Sequence, residues 1–309
     1  MPFQITIGIS WKSFIGFIFF FDMFGFLHHW GLPIVACATW WGMLIALLVC
    51  WSLQGFPVYS WMEPNKHNQT ILYISDIAAT NLQPIFISCA SAQALFFMLT
   101  LIAERYLRHA GRLLPNWKRK EKVLAGFAIG FGFIGQLGII FVSTFNTHSF
   151  PDVHVAFLCV FIVFLGLSAI CTGCELYILD KAYVTHKSFK ISYIFKAIWW
   201  IISLGLAIAF AVCARHHQPN AAAVCEWTLS FLYGFYLLSF VYDLWPAAKA
   251  EKGQMFQEKQ SRELKIETQW RPGMPAVNKQ PPLNAQESSE MGSVGERVLD
   301  NRALLDSDA

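Results

Sequence analysis

Three short segments of the chain concentrate the side chains that could do chemistry. The first is Tyr73-Ile74-Ser75-Asp76-Ile77-Ala78-Ala79-Thr80, closed by Pro84; the second holds Asn146, His148, Asp152 and His154; the third holds His216 and His217. Imidazole and carboxylate are suitable zinc ligands, so Asp76, His148 and His154 could form a hydrolytic metal centre. No pair has the one-turn spacing of a helical zinc motif, and no recognised short catalytic motif is present. The same residues serve equally as a polar network that holds loops over helix ends, and the expectation is no catalytic residue, no metal and no cofactor. A second concentration is basic: Arg105, Arg108, Arg112, Lys118, Arg119, Lys120 and Lys122. Such clusters beside a membrane attract phosphatidylserine and phosphoinositides at ~1 kcal/mol per residue. They also set membrane topology, and one cluster can do both. Nucleic acid is not an expected partner of a loop this close to a bilayer.

The elements that must position these residues are six apolar runs: Gly31–Leu53, Pro84–Ala103, Val123–Ser143, Val153–Gly173, Ile194–Cys213 and Val224–Trp245. Each is long enough to cross a hydrocarbon core of ~30 Å as a helix of about 20 residues. Only 14% of the chain is charged and 55% is hydrophobic, against ~25% charged in ordinary globular chains. The fold class expected is therefore all-α, a polytopic bundle of six transmembrane helices. Lys and Arg fill alternate gaps: the segment from Arg105 to Lys122, then Lys181, Lys187 and Lys190, then the C-terminal tail. The other gaps hold only Lys66, none, and Arg215. The basic gaps are thus expected in the cytoplasm, with both termini there. Asn68 opens a glycosylation sequon, Asn-Gln-Thr, in the first outer loop.

Three parts follow from this division. Residues 1–30 carry an apolar stretch, Ser13–Leu27, with Asp22 near its centre; it reads as interfacial, re-entrant or an extra span. Residues 31–246 are the six-span domain. Residues 247–309 are polar and expected to be a disordered cytoplasmic tail, in which Asp300, Leu304 and Leu305 have the spacing of an acidic dileucine sorting signal. Within the spans, Gly126 and Gly130 form a small-xxx-small pair, read as packing inside the bundle more than as a dimer contact. The oligomeric state is left open. Gln136 is expected to find a partner across helices, and Trp40, Trp41, Trp51, Trp199, Trp200, Trp227 and Trp245, near the span ends, read as interface anchors, several where an aromatic belt would sit. Cys213 and Cys225 flank the last outer loop and could be bridged, while Cys171 and Cys174 are placed at a cytoplasmic helix end.

The ISDIAAT segment after Tyr73, closed by Pro84, resembles the hallmark of the DRAM/Frag/Sfk family. The segments WWGMLIALLVCWSLQGFPVY, FNTHSFPDVHVAF and EWTLSFLYGFYLLSFVYDLWP fit as well, so the resemblance covers about residues 31–246. It is strongest toward the fungal suppressor-of-four-kinase branch; animal members often carry an acidic residue after the proline, where this chain has Ile85. The resemblance implies a six-span protein without catalytic activity. It further implies action at the plasma membrane, in support of a phosphatidylinositol 4-kinase complex and of phospholipid asymmetry. Other relatives imply rival roles, namely lipid remodelling of GPI anchors at the outer leaflet, or autophagy modulation in the endosomal, vacuolar or lysosomal membrane.

Overall fold

A computed structural model of the protein describes residues 29–59, 69–183 and 186–270. The Ser13–Leu27 stretch, Asn68, and the Asp300, Leu304 and Leu305 signal lie outside the described residues. The described elements are α1 (Gly31–Leu53), α2 (Ile74–Ala78), α3 (Gln83–His109), α4 (Arg119–Thr144), α5 (Pro151–Ala182), α6 (Lys187–Arg215), α7 (Pro219–Lys249) and α8 (Gln254–Trp270), with no strand among them. Six of them, α1 and α3 to α7, are long and apolar enough to cross a membrane. The bounds of α1 are those the sequence gives, and the other five start earlier and run further than their apolar runs. The α5 helix has 32 residues, about 48 Å at ~1.5 Å per residue, and overshoots a ~30 Å core. Proline stands in the first turn of α3, α5 and α7, where its missing N–H removes no helical bond.

Each spanning helix packs on its neighbour in the chain, and α7 returns to pack on α1, which closes the six into a ring. The closest pair is α4 with α5, and the reason is glycine. A Cβ on Gly138 would lie 2.8 Å from the backbone nitrogen of Phe161, and one on Gly135 would lie 3.0 Å from that of Leu165. Small residues let backbones approach where lipid offers no hydrophobic drive to association. Gly126 and Gly130, in contrast, meet nothing within 4 Å. The glycine face that packs the bundle is therefore Gly132, Gly135 and Gly138, and the Gly126/Gly130 pair faces outward.

Ring closure rests on tryptophan. Trp40 and Trp41 of α1 donate their indole N–H to the carbonyls of Ser230 (2.7 Å) and Phe231 (3.0 Å), and Trp199 of α6 donates to Leu232 O (2.8 Å). Three successive carbonyls of α7 thus each take a side-chain donor, which inside a bilayer would otherwise go unpaired. Trp40, Trp41 and Trp199 are consequently clamps within the bundle, not interface anchors. Gly234 is obligatory beside them, because the Trp41 ring occupies the space of its Cβ. Tyr236 stacks on Trp199 at 4.3 Å, and Phe240 meets both Phe97 and Tyr236 edge-on in the core.

Composition predicts disorder from Ala247, but α7 continues through Pro246 to Lys249 and a turn at Gly253 starts α8. Packing explains the difference. Gly253 N and Met255 N donate to the carbonyls of Ala110 and Gly111, and Phe256 fills the space over Gly111, whose φ of 67° suits glycine. The chain divides into two units, Met1–Gln257 and Glu258–Ala309; in the second, Lys259 and Glu263 pair across one turn at 3.9 Å.

Candidate functional site

At the end of the ring where α3 meets α4, the basic segment splits into two populations. Arg108 is 4% exposed. Its guanidinium donates to Glu104 Oε1 at 2.7 Å and to the Leu114 carbonyl at 3.0 Å, and its Nε lies 3.8 Å from Glu175 Oε1. Arg105 donates to Asn116, and Asn116 in turn donates to Glu175 at 3.1 Å. Arg112 donates to the carbonyls of Ala247 and Ala250, both at 3.2 Å, closing the C-terminus of α7 where helical carbonyls lack partners. These three arginines therefore stitch the 110–118 segment into the bundle. Arg108 in particular is turned away from any lipid surface, which corrects its place among the expected lipid contacts.

Lys118, Arg119, Lys120 and Lys122 are exposed at the start of α4, with no ion pair among the described residues. The acid within their run, Glu121, is buried and accepts from the N–H groups of Trp117 and Lys118. Lys181, Lys187 and Lys190 are exposed as well. The carboxylates Glu104, Glu121, Glu175 and Asp243 are enclosed near this end, so they do little to offset the exposed lysines.

A second buried pair escaped the sequence reading. Lys196 of α6 donates to Asp243 of α7 at 2.6 Å and to Ser192 at 2.9 Å, with its ammonium 4.6 Å from the Phe240 ring. Both residues stand inside apolar runs, and a lone ionisable residue in a span is a signal to look for its partner. Glu104 and Arg108, four apart, carried a similar signal. Gln136, expected to find a partner across helices, donates to Tyr233 Oη at 3.0 Å, and Gln93, which the sequence reading did not single out, donates to the same oxygen at 2.8 Å. The helix α5 extends to Ala182, so Cys171 and Cys174 lie inside it and not at its end.

The opposite end is closed by the ISDIAAT segment. It forms α2, whose Asp76, Ile77 and Ala78 are buried. The carboxylate of Glu226 accepts from Ile74 N at 2.9 Å, Asn220 accepts from Thr70 N and Ile71 N, and Trp227 donates to Leu72 O. Tyr73 packs edge-on to Phe210. Burial, with the nearby charges of Glu226 and Asp76, pushes its phenol up to about 12, so it stays a neutral donor at any physiological pH. Thr80 Oγ1 donates to Ile77 O and Pro84 stands at the start of α3. Asn146 donates to Gln83, which donates to the carbonyls of Ser143 and Thr144. His154 is buried, its Nδ1 2.8 Å from Phe145 O, while His148 is exposed. Among the described residues no three His, Cys, Asp or Glu side chains are grouped to hold a metal. Each of these polar groups has a local structural task, as a plug over the helix ends. Cys213 and Cys225 are free thiols in the structure.

A ring of six apolar helices with a polar plug at one end and a basic rim at the other defines an integral membrane protein. The family model described as the Frag1/DRAM/Sfk1/Cwh43P N-terminal domain matches residues 28–247, and the chain belongs to that family. Protein SFK1 of Saccharomyces cerevisiae is 29% identical, over 74% of this chain and 82% of its own length. Protein sfk1 of Schizosaccharomyces pombe is 28% identical, over 74% of this chain and 65% of its own length. No solved structure matches the chain.

Proposed function

We propose that the protein is a non-enzymatic regulator at the plasma membrane that couples anionic cytoplasmic lipid to phosphatidylinositol 4-kinase signalling and to phospholipid asymmetry. The observation that carries this reading is the exposed basic row Lys118, Arg119, Lys120 and Lys122, without an ion pair among the described residues and beside the buried acids Glu104, Glu121 and Glu175. The likeness to the Sfk branch supports it. Anionic phospholipids, phosphoinositides among them, meet this row, and a kinase complex docks on the same face. Arg105, Arg108 and Arg112 hold the row in place without touching lipid.

The test replaces Lys118, Arg119, Lys120 and Lys122 with Gln in the full-length protein. At ~1 kcal/mol per basic residue near the surface, the variant loses most of its preference for phosphatidylserine or phosphatidylinositol 4-phosphate over neutral lipid in reconstituted bilayers. In cells it reaches the plasma membrane and lowers the phosphatidylinositol 4-phosphate reporter there. Normal reporter levels with a correctly placed variant would sink the proposal, and a native protein resident in the vacuolar membrane would replace it with the autophagy reading.

A further inference from the structure

A cavity of about 320 Å³ opens sideways between α5 and α6. It exists because α6 is attached along only part of its length. The buried residues of α6 are Ser192, Lys196 and Trp199, all toward the basic end, where the Lys196–Asp243 pair and the Trp199 clamp fasten it. From Trp200 to Arg215 none is buried; Trp200 packs on the core only in part, and Phe210 meets Tyr73 edge-on at the α2 end. The cleft so left is walled by Val163 and Gly166 of α5 and by Trp200 and Leu204 of α6, with Phe161 and Tyr233 at its floor. Val163 and Leu204 are exposed at its lips. Its polar rim is at the α2 end, where Ser75 and Glu226 line it; Glu226, whose carboxylate also accepts from Ile74 N, is the one charged residue of the lining.

We infer that this groove takes one acyl chain of a phospholipid from the leaflet on the α2 side, with an ammonium-bearing headgroup at Glu226. Four observations select that occupant. The opening lies within the spanning helices, where the surrounding solvent is lipid. From Trp199 to Phe210 the wall of α6 is about 16 Å long at ~1.5 Å per residue, close to half of a ~30 Å core. The volume is at the lower end of the ~300–1,000 Å³ of small-ligand sites, suited to one hydrocarbon chain and not to a whole lipid. The rim charge is negative, so it favours choline or ethanolamine over an anionic headgroup. The site is independent of the basic row, which lies at the other end.

The experiment uses the full chain in nanodiscs doped with phosphatidylcholine that carries a photoactivatable acyl chain, and maps the label by mass spectrometry. Peptides around Val163 and Leu204 should be labelled several-fold more than the α4 peptide bearing Phe133 and Ile134, which are equally open to lipid. Leu204→Trp or Val163→Trp should bring that ratio towards one. Phosphatidylglycerol with the same chain should label the groove less, and Glu226→Gln should erase the difference. Equal labelling of groove and α4 in the native protein overturns the site, whether or not the variants fold. Equal groove labelling by the two headgroups overturns the role of Glu226. Groove labelling that appears only after residues 1–28 are removed assigns the groove to the chain's own apolar N-terminal stretch, and overturns the lipid.

Discussion

Arg108 has almost no surface left once Glu104, Glu175 and the Leu114 carbonyl are bound to it. Removing it strands two carboxylates in an enclosed space, and breaking a buried pair from one side costs about 3–5 kcal/mol. Arg108→Ala should therefore lower the thermal midpoint of the detergent-solubilised protein sharply. Lys120→Ala, on the open face a few residues away, should leave it unchanged within about 0.5 kcal/mol. The sequence shows the two residues as members of one basic cluster, separated only by the acid Glu104 four residues before Arg108. The distinction comes from Glu175, which another helix brings to Arg108, and from Glu121, which folds back on its own helix start. Side-chain type and the local Glu104 partner were legible; the burial of Arg108 and its second carboxylate were not, because tertiary packing supplies them.

At the scale of the helix, the six spans and the alternation of basic gaps were readable because hydrophobic length and charge are local properties. Facing was less so. In α4 the sequence offers a glycine pair at Gly126 and Gly130 and a further set at Gly132, Gly135 and Gly138, all at plausible spacings. Only the neighbours decide between them. Gly138→Leu should force α4 off Phe161 and destabilise the protein by about 1–3 kcal/mol or more, as overpacking does. Gly126→Leu should be silent, with both read by thermal unfolding. The fastening of α6 gives a separate test. Lys196→Met leaves Asp243 buried and alone and should destabilise strongly, whereas Lys196→Met with Asp243→Leu should recover most of the loss. Failure of the double variant to recover would mean that the pair does more than satisfy itself. The polar residues of the ISDIAAT segment already read as a network holding loops over helix ends; their partners did not, since Asn220, Glu226 and Trp227 reach the segment from α7.

Across the molecule, the two ends differ in kind: one is a capped polar surface and the other a basic rim. If the α2 end is the outer one, Asn68→Gln should abolish an endoglycosidase-sensitive shift in mobility. A sequon engineered into the 118–122 segment should stay unmodified. The reverse result would invert the molecule and remove the cytoplasmic lipid reading. The tryptophan clamp bears on how these ends could communicate. A shaft gripped at three successive threads, from two sides, can neither turn nor slide, and α7 is gripped in that way at Ser230, Phe231 and Leu232. Rotation and piston strokes of that helix are mechanically forbidden without breaking all three indole bonds. The half of α6 beyond Trp199 has no such grip: no residue of it is buried, and Phe210 against Tyr73 is its ring contact with the α2 end.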